Sequence, residues 1–206
     1  MKIKQFVPFL LLLSLAFTAC DSSSKPASPA AKPAPKPDEY VTGQVAFQKM
    51  LISARSFGPD VQPYLLESEY TPGAPVTEGK AGIWRASFAS PSRHYIKTFT
   101  WSGLTGPDRG INSSVEGTYS PANSSTQIFN IAFLSTDSSK AFAVAQEHGG
   151  KKLMEQDLKQ PVSFALDWDA RGSRLVWRVI YGTSRDSAQL RVAVDASTGT
   201  FLRMER

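Results

Sequence analysis

Side chains able to do covalent or acid–base chemistry are few in this chain of 206 residues: one cysteine, Cys20, and two histidines, His94 and His148. A single thiol excludes an intramolecular disulfide and any cysteine-rich zinc or iron–sulfur site. Neither histidine has the neighbours at close spacing that a metal site needs, and no G-x-S-x-G turn marks a serine nucleophile. Asp167 and Asp169 flank Trp168, which puts both carboxylates on one face of a strand, as its polar edge rather than as an acid–base pair. No glycine-rich loop is spaced to cradle a phosphate. Tyr95, Phe99 and Trp101 share a strand face with Lys97, a pattern that suits core packing or a groove for an anionic ligand. The expectation is a non-catalytic protein without cofactor or metal, in which Cys20 has the clearest chemical role.

The context of Cys20 is specific. Lys2 and Lys4 precede an apolar run from Phe6 to Ala19, the layout of an export signal over 1–19. These 14 residues fall short of the roughly 20 that a membrane-spanning helix needs. The run ends Phe17-Thr18-Ala19-Cys20, which resembles the lipobox of bacterial lipoproteins, with Phe17 where an aliphatic residue is usual. The resemblance implies cleavage before Cys20 and its modification by acyl chains such as palmitate. Acylation would remove the lone thiol and hold the chain to a membrane, since each buried methylene contributes about 0.8 kcal/mol. Asp21 after the acylated cysteine resembles an inner-membrane retention signal, which in a two-membrane host would place the protein on the periplasmic side. Residues 20–39, with five prolines in 21–38, read as a disordered, semi-rigid polyproline-like tether.

Removing the two lysines of the signal takes the net charge from +5 to +3 (21 basic against 18 acidic residues). That is too mild for a nucleic-acid binder. Arginines nevertheless gather late: seven in 171–206 face Asp186, Asp195 and Glu205. They are expected on a solvated sheet face, or against an anionic partner such as a headgroup or cell-wall polymer.

The elements that position these groups are legible as periodicities. Phe47, Met50, Leu51 and Ala54 mark a helix over 44–57, closed by Gly58 and Pro59; Ala141, Val144, Ala145 and His148 mark another over 138–148, with Asp137 as N-cap and Gly149 as C-cap. Period-two alternation elsewhere predicts strands with one buried face, through Trp84–Phe88, Tyr95–Trp101, Phe164–Trp168, Leu175–Tyr181 and Leu190–Ala196. Arg85 and Arg178 are expected on the exposed faces. Residues 102–126 read as a long loop with a short strand at 115–119.

The same order occurs twice: a helix, a Gln-Pro pair (Gln62-Pro63, Gln160-Pro161), a tryptophan strand (Trp84-Arg85-Ala86-Ser87-Phe88, Trp177-Arg178-Val179-Ile180-Tyr181) and a further strand. The closing segment Val192-Ala193-Val194-Asp195-Ala196-Ser197-Thr198-Gly199 resembles the end of a PepSY-like domain. The expected fold is α+β, mostly β: two helix-plus-antiparallel-sheet units, PepSY-like repeats, over 40–126 and 127–206. The resemblance implies a non-catalytic binding, regulatory or inhibitory module in the cell envelope, with an envelope protein or an anionic ligand as partner. An envelope hydrolase with a dispersed active site and an accessory subunit of a membrane complex are the alternatives.

Overall fold

A computed structural model describes residues 36–72 and 78–205. The export segment, Cys20, Asp21 and the tether up to residue 35 lie outside the described residues.

The short strand β1 (Val41–Thr42) leads into helix α1 (Gly43–Ala54), followed by β2 (Gln62–Ser68), β3 (Lys80–Ala81), β4 (Ile83–Ser90), β5 (Tyr95–Ser102), β6 (Gly110–Ser113) and β7 (Gly117–Thr118). Helix α2 (Ser138–Ala145) continues through a π-turn (Gln146–Gly150) into α3 (Lys151–Gln156), then β8 (Val162–Asp169), β9 (Arg174–Tyr181), β10 (Leu190–Asp195) and β11 (Phe201–Glu205). All but β1 and β3, which pair with each other, join one antiparallel sheet ordered β11-β10-β9-β8-β2-β4-β5-β6, with β7 beside β5.

Alternation decides which face is covered. Phe164 and Leu166 of β8, Leu175, Trp177, Val179 and Tyr181 of β9, and Trp84, Ala86 and Phe88 of β4 are all buried, in one cluster with Ala46, Phe47 and Met50 of α1 and Ala141 and Val144 of α2. Burying each large apolar side chain stabilises by about 1.5–3 kcal/mol. Among the described residues the sheet's other face carries no α-helix; a small second cluster of Tyr64, Ala89 and Tyr119, with Leu65, Ile96 and Ile128, covers part of its β2–β5 end.

The two helices meet at their N-termini, where one carboxylate serves both. Asp137 Oδ1 accepts from the backbone N–H of Ser138 at 2.7 Å and of Gln44 at 2.9 Å. The Gly43 N–H donates to Ser138 Oγ at 2.8 Å, and that hydroxyl donates to Gly79 O at 2.6 Å. Trp84 and Trp177 lie beneath this junction, ring centroids 6.3 Å apart and edge to face. The Trp84 indole N–H donates to Val41 O, two residues ahead of α1; that of Trp177 donates to Thr136 O, two residues ahead of α2. Gly43 permits the approach, since a Cβ there would stand 2.6 Å from the Trp177 ring and 3.1 Å from that of Trp84.

Several boundaries differ from the sequence expectations. α1 stops at Ala54, before Gly58. The 138–148 helix does not end at His148: Gly149, at φ 103°, kinks the chain, and α3 follows. The neighbouring Gly150 leaves room for the Tyr181 hydroxyl. The strand expected over 115–119 shrinks to β7, while β6 forms ahead of it. Lys36 to Glu39, read as tether, are fastened to the loop after β5: the Thr105 N–H donates to Asp38 Oδ1 at 2.6 Å and the Glu39 N–H to Gly103 O at 3.0 Å. The hydrogen bonds from Thr105, with the charge of Arg109 nearby, hold the Asp38 carboxyl below the usual carboxylate range.

A candidate binding face on the helix-free side of the sheet

Cross-strand register lays one row of residues across the open face: Arg203, Ala193, Arg178, Ala165, Glu67, Arg85, Thr100 and Asn112. The alanines matter as much as the charges. With only methyl groups at 165 and 193, the Arg178 guanidinium reaches Asp167 on one side and, across β10, Glu205 at 3.1 Å on the other. Arg185, from the β9–β10 connection, closes on Asp167 at 2.6 Å, and Arg203 bridges Asp169 at 3.1 Å and Glu205 at 2.8 Å. Burial works to raise the Asp169 carboxyl, but the hydrogen bond and charge of Arg203, with backbone N–H groups of Gly172 and Arg171, outweigh it and leave it below its ordinary range.

Two sequence expectations are corrected here. Arg178 is not an exposed residue: its side chain is 12% exposed and shared between two carboxylates. The late arginines do not form an uncompensated basic face, because Arg174, Arg178, Arg185 and Arg203 are each paired with Asp167, Asp169, Asp195 or Glu205. The pairing acids were legible in principle. Trp168 and Trp177 both point to the core, so Asp167, Asp169 and Arg178, their sequence neighbours, must share the opposite face.

The carboxylate of Glu67, at the centre of the row, has no ion pair or hydrogen bond among the described residues, although the residue is half-buried. Its register neighbour Arg85 turns instead to Glu69, at 2.5 Å. The seam beside Glu67 is short: β2 and β8 pair only through Leu65, Leu66 and Glu67, against eight residue pairs between β8 and β9. Past Glu67 the Phe164 N–H donates to the Ser68 hydroxyl rather than to a strand carbonyl. The strands splay at both ends of the seam, leaving a cavity of about 320 Å³ between Ser68–Tyr70 and Ser163–Ala165 and one of about 290 Å³ between Tyr64 and Trp168. Glu67 and Arg185 line both. Nothing local in the sequence singles out Glu67, because the partner strand that isolates it is about a hundred residues away.

The other residues with potential chemistry are dispersed. His94 is exposed in the β4–β5 turn at φ 56°. His148 stacks on Phe201, ring centroids 3.7 Å apart. The Tyr181 hydroxyl accepts from the Gln146 amide at 2.7 Å, and burial pushes its ionisation well above the ordinary tyrosine value. Asp195 closes the turn expected before β11: its Oδ1 accepts from Ser197 and Thr198 N–H, and Gly199 supplies φ 73°. The aromatic stripe of β5 divides. Trp101 is buried with Lys49 over its ring, whereas Lys97 and Phe99 line a separate cavity behind the sheet. No group of three or more His, Cys, Asp or Glu side chains with metal-site geometry occurs among the described residues, nor does a helix long and apolar enough to cross a membrane.

No family model and no curated protein matches the chain. Among solved structures it is similar to the crystal structure of a candidate lipoprotein from Clostridium difficile 630, with a TM-score of 0.51 and 11% identity, covering 78% of this chain and 91% of that one. At that identity the likeness is one of fold: a mostly β, α+β architecture.

Proposed function

We propose that this chain is a lipid-anchored envelope protein, held through Cys20, whose helix-free sheet face binds a partner protein. Three features support the anchoring: the lipobox-like Phe17-Thr18-Ala19-Cys20, the single cysteine, and the lipoprotein description of the structural neighbour. The binding role rests on one observation above the others. Glu67 is a half-buried carboxylate without an ion pair among the described residues, between two cavities, on a face whose remaining charges are nearly all paired with each other. A desolvated carboxylate is costly unless matched, so the fitting partner brings a lysine or arginine on an extended segment or loop. The topology also supports two PepSY-like repeats: helix, β2, β4, β5 and helix, β8, β9, β10 run outward from the β2–β8 seam in mirrored order, each with a buried tryptophan bonded ahead of its helix.

Labelled palmitate should enter the wild-type protein and not the Cys20→Ser variant; equal labelling of both refutes the anchor. In a two-membrane host, Asp21→Ser should shift the protein from the inner toward the outer membrane, and an outer-membrane location of both forms refutes that sorting. For the face, a photo-crosslinking residue at Thr183, exposed at the rim of the first cavity, should yield a discrete adduct in cells that Glu67→Lys abolishes, while one at Ile52, on the outer side of α1, should yield none. Adducts from Ile52 alone would sink the assignment.

A further inference from the structure

Behind the sheet, at the end of α1, a second group of charges is arranged for the opposite chemistry. Arg93 and Lys97 both stand over the Phe57 ring, with the guanidinium carbon 5.2 Å and the ammonium nitrogen 5.8 Å from its centroid. Phe57 itself is 5% exposed, so the two cations form a lid on an aromatic floor. One carboxylate serves both: Glu116 stands 3.6 Å from Arg93 Nη2 and 3.9 Å from Lys97 Nζ. Both separations exceed the roughly 2.7–2.9 Å of a charge-assisted hydrogen bond. Arg93 directs its other terminal nitrogen to the Phe57 carbonyl. The Lys97 ammonium, with three donors, makes no hydrogen bond among the described residues, although the side chain is only 24% exposed. The group borders a cavity of about 340 Å³ that also has Phe99, Ile111 and the hydroxyl residues Ser53 and Ser113 in its wall.

We infer that this cavity is a binding site for a small organic carboxylate with an apolar body, and that Glu116 is the internal carboxylate it displaces. The charge count sets the sign: two cations against one acid, with that acid held loosely. Glu116 follows Val115, which is 90% exposed, in the two-residue link between the Ser114 N–H bonded to Thr98 O and Gly117 paired with Ile96. A link of that kind can swing the carboxylate out without disturbing the sheet. The volume, at the low end of ligand cavities (about 300–1,000 Å³), sets the size. Phe57, Phe99 and Ile111 offer the apolar contact within a wall that is otherwise polar. This site is separate from the open face and does not depend on a protein partner there.

The test is titration of the detergent-solubilised full chain with sodium benzoate at constant ionic strength, followed by calorimetry and by amide chemical shifts. Saturable binding is expected, with shifts confined to Phe57, Lys97, Phe99 and Glu116. Glu116→Gln, which removes the competing carboxylate, should tighten it about three- to fivefold, the scale of a part-exposed ion pair. Lys97→Gln and Arg93→Gln should each weaken it about tenfold or more, with thermal midpoints recorded as a check on folding; should Arg93→Gln fail to fold, Lys97→Gln carries the comparison. Benzamide, the neutral analogue, should not bind. Absence of saturable benzoate binding in both wild type and Glu116→Gln overturns the site, as does equal binding of benzamide or unchanged affinity in Lys97→Gln. Inorganic phosphate competing as well as benzoate would overturn the assignment to an organic carboxylate.

Discussion

The tryptophan pair offers the sharpest test of how this fold is held. Trp84 and Trp177 are both fully buried, touch edge to face, and each donate an indole hydrogen bond to a carbonyl that orients the start of a helix. Truncating either to alanine should cost about 3–5 kcal/mol in lost packing and residual cavity, a large part of the roughly 5–15 kcal/mol that keeps a domain folded. The bond to Thr136 O is buried and that to Val41 O only partly so, hence Trp177→Ala should be the costlier change. With a urea m-value of about 2 kcal/mol per M, a loss of 4 kcal/mol would move the midpoint by about 2 M. The assay is urea denaturation of the detergent-solubilised chain followed by far-UV circular dichroism. Trp→Phe single and double variants, milder than alanine, would keep the chain folded and isolate the pairwise contact, which should appear as a coupling of about 0.5–1.5 kcal/mol. A cost under about 1 kcal/mol for either alanine, or strict additivity of the phenylalanine pair, would refute the shared junction.

Three further outcomes follow from the same geometry. Arg178→Ala leaves Asp167 and Glu205 without the guanidinium between them and should cost about 1–3 kcal/mol, whereas Arg85→Ala, at a side chain 47% exposed, should stay within about 0.5 kcal/mol in the same urea assay. Because the folded Asp169 carboxyl titrates below its unfolded value of about 3.9, its contribution is complete above that pH and is lost as the pH falls through the folded value; Asp169→Asn should therefore flatten the acid limb of the stability profile below about pH 4, and an unchanged limb would contradict this. Gly43→Ala should destabilise by about 1–3 kcal/mol despite the better helix former, since its methyl would enter the two indole rings; a gain in thermal midpoint would show that the junction can yield.

Much of the fold was legible because one sheet face is buried along whole strands. Leu175, Trp177, Val179 and Tyr181 fall two apart, and the structure buries all four against the helices, while Val176 and Ile180, buried on the opposite face, break the alternation. What local pattern could not convey was which strands meet. The β2–β8 seam joins segments about a hundred residues apart through only three residue pairs, too few to leave a signature in either strand. Glu67, isolated by that seam, was invisible for the same reason. Lys97 stood out among aromatics, but Arg93 and Glu116 belong to a turn and a link with no periodicity, so the carboxylate holding Lys97 could not be anticipated. Gly149 reads as a helix stop, yet with Gly150 it forms a kink packed on Tyr181 after which α3 resumes. Glycine marks a change of direction, and only the surrounding packing decides whether the helix resumes.

The fastening of residues 36–39 bears on how a domain anchored as proposed would present its open face. Thr105 binds both Asp38 and the Lys36 carbonyl, and Arg109 donates to the carbonyls of Lys36 and Pro37. The chain therefore enters the folded body at the β5–β6 hairpin, on the outermost strands of one side of the sheet. Glu67 lies on β2, two strands inward from β5, so the entry point does not cover it. Were residues 36–39 a free tether, as the sequence expectation had it, the body could rotate about position 40. Five hydrogen bonds instead fix residues 36–39 to one hairpin at the edge of the sheet. Thr105→Ala together with Arg109→Ala should release the segment, read as faster proteolysis or amide exchange at 36–39 with the β8–β9 exchange unchanged. Equal protection in wild type and variant would show that these bonds do not hold the entry point.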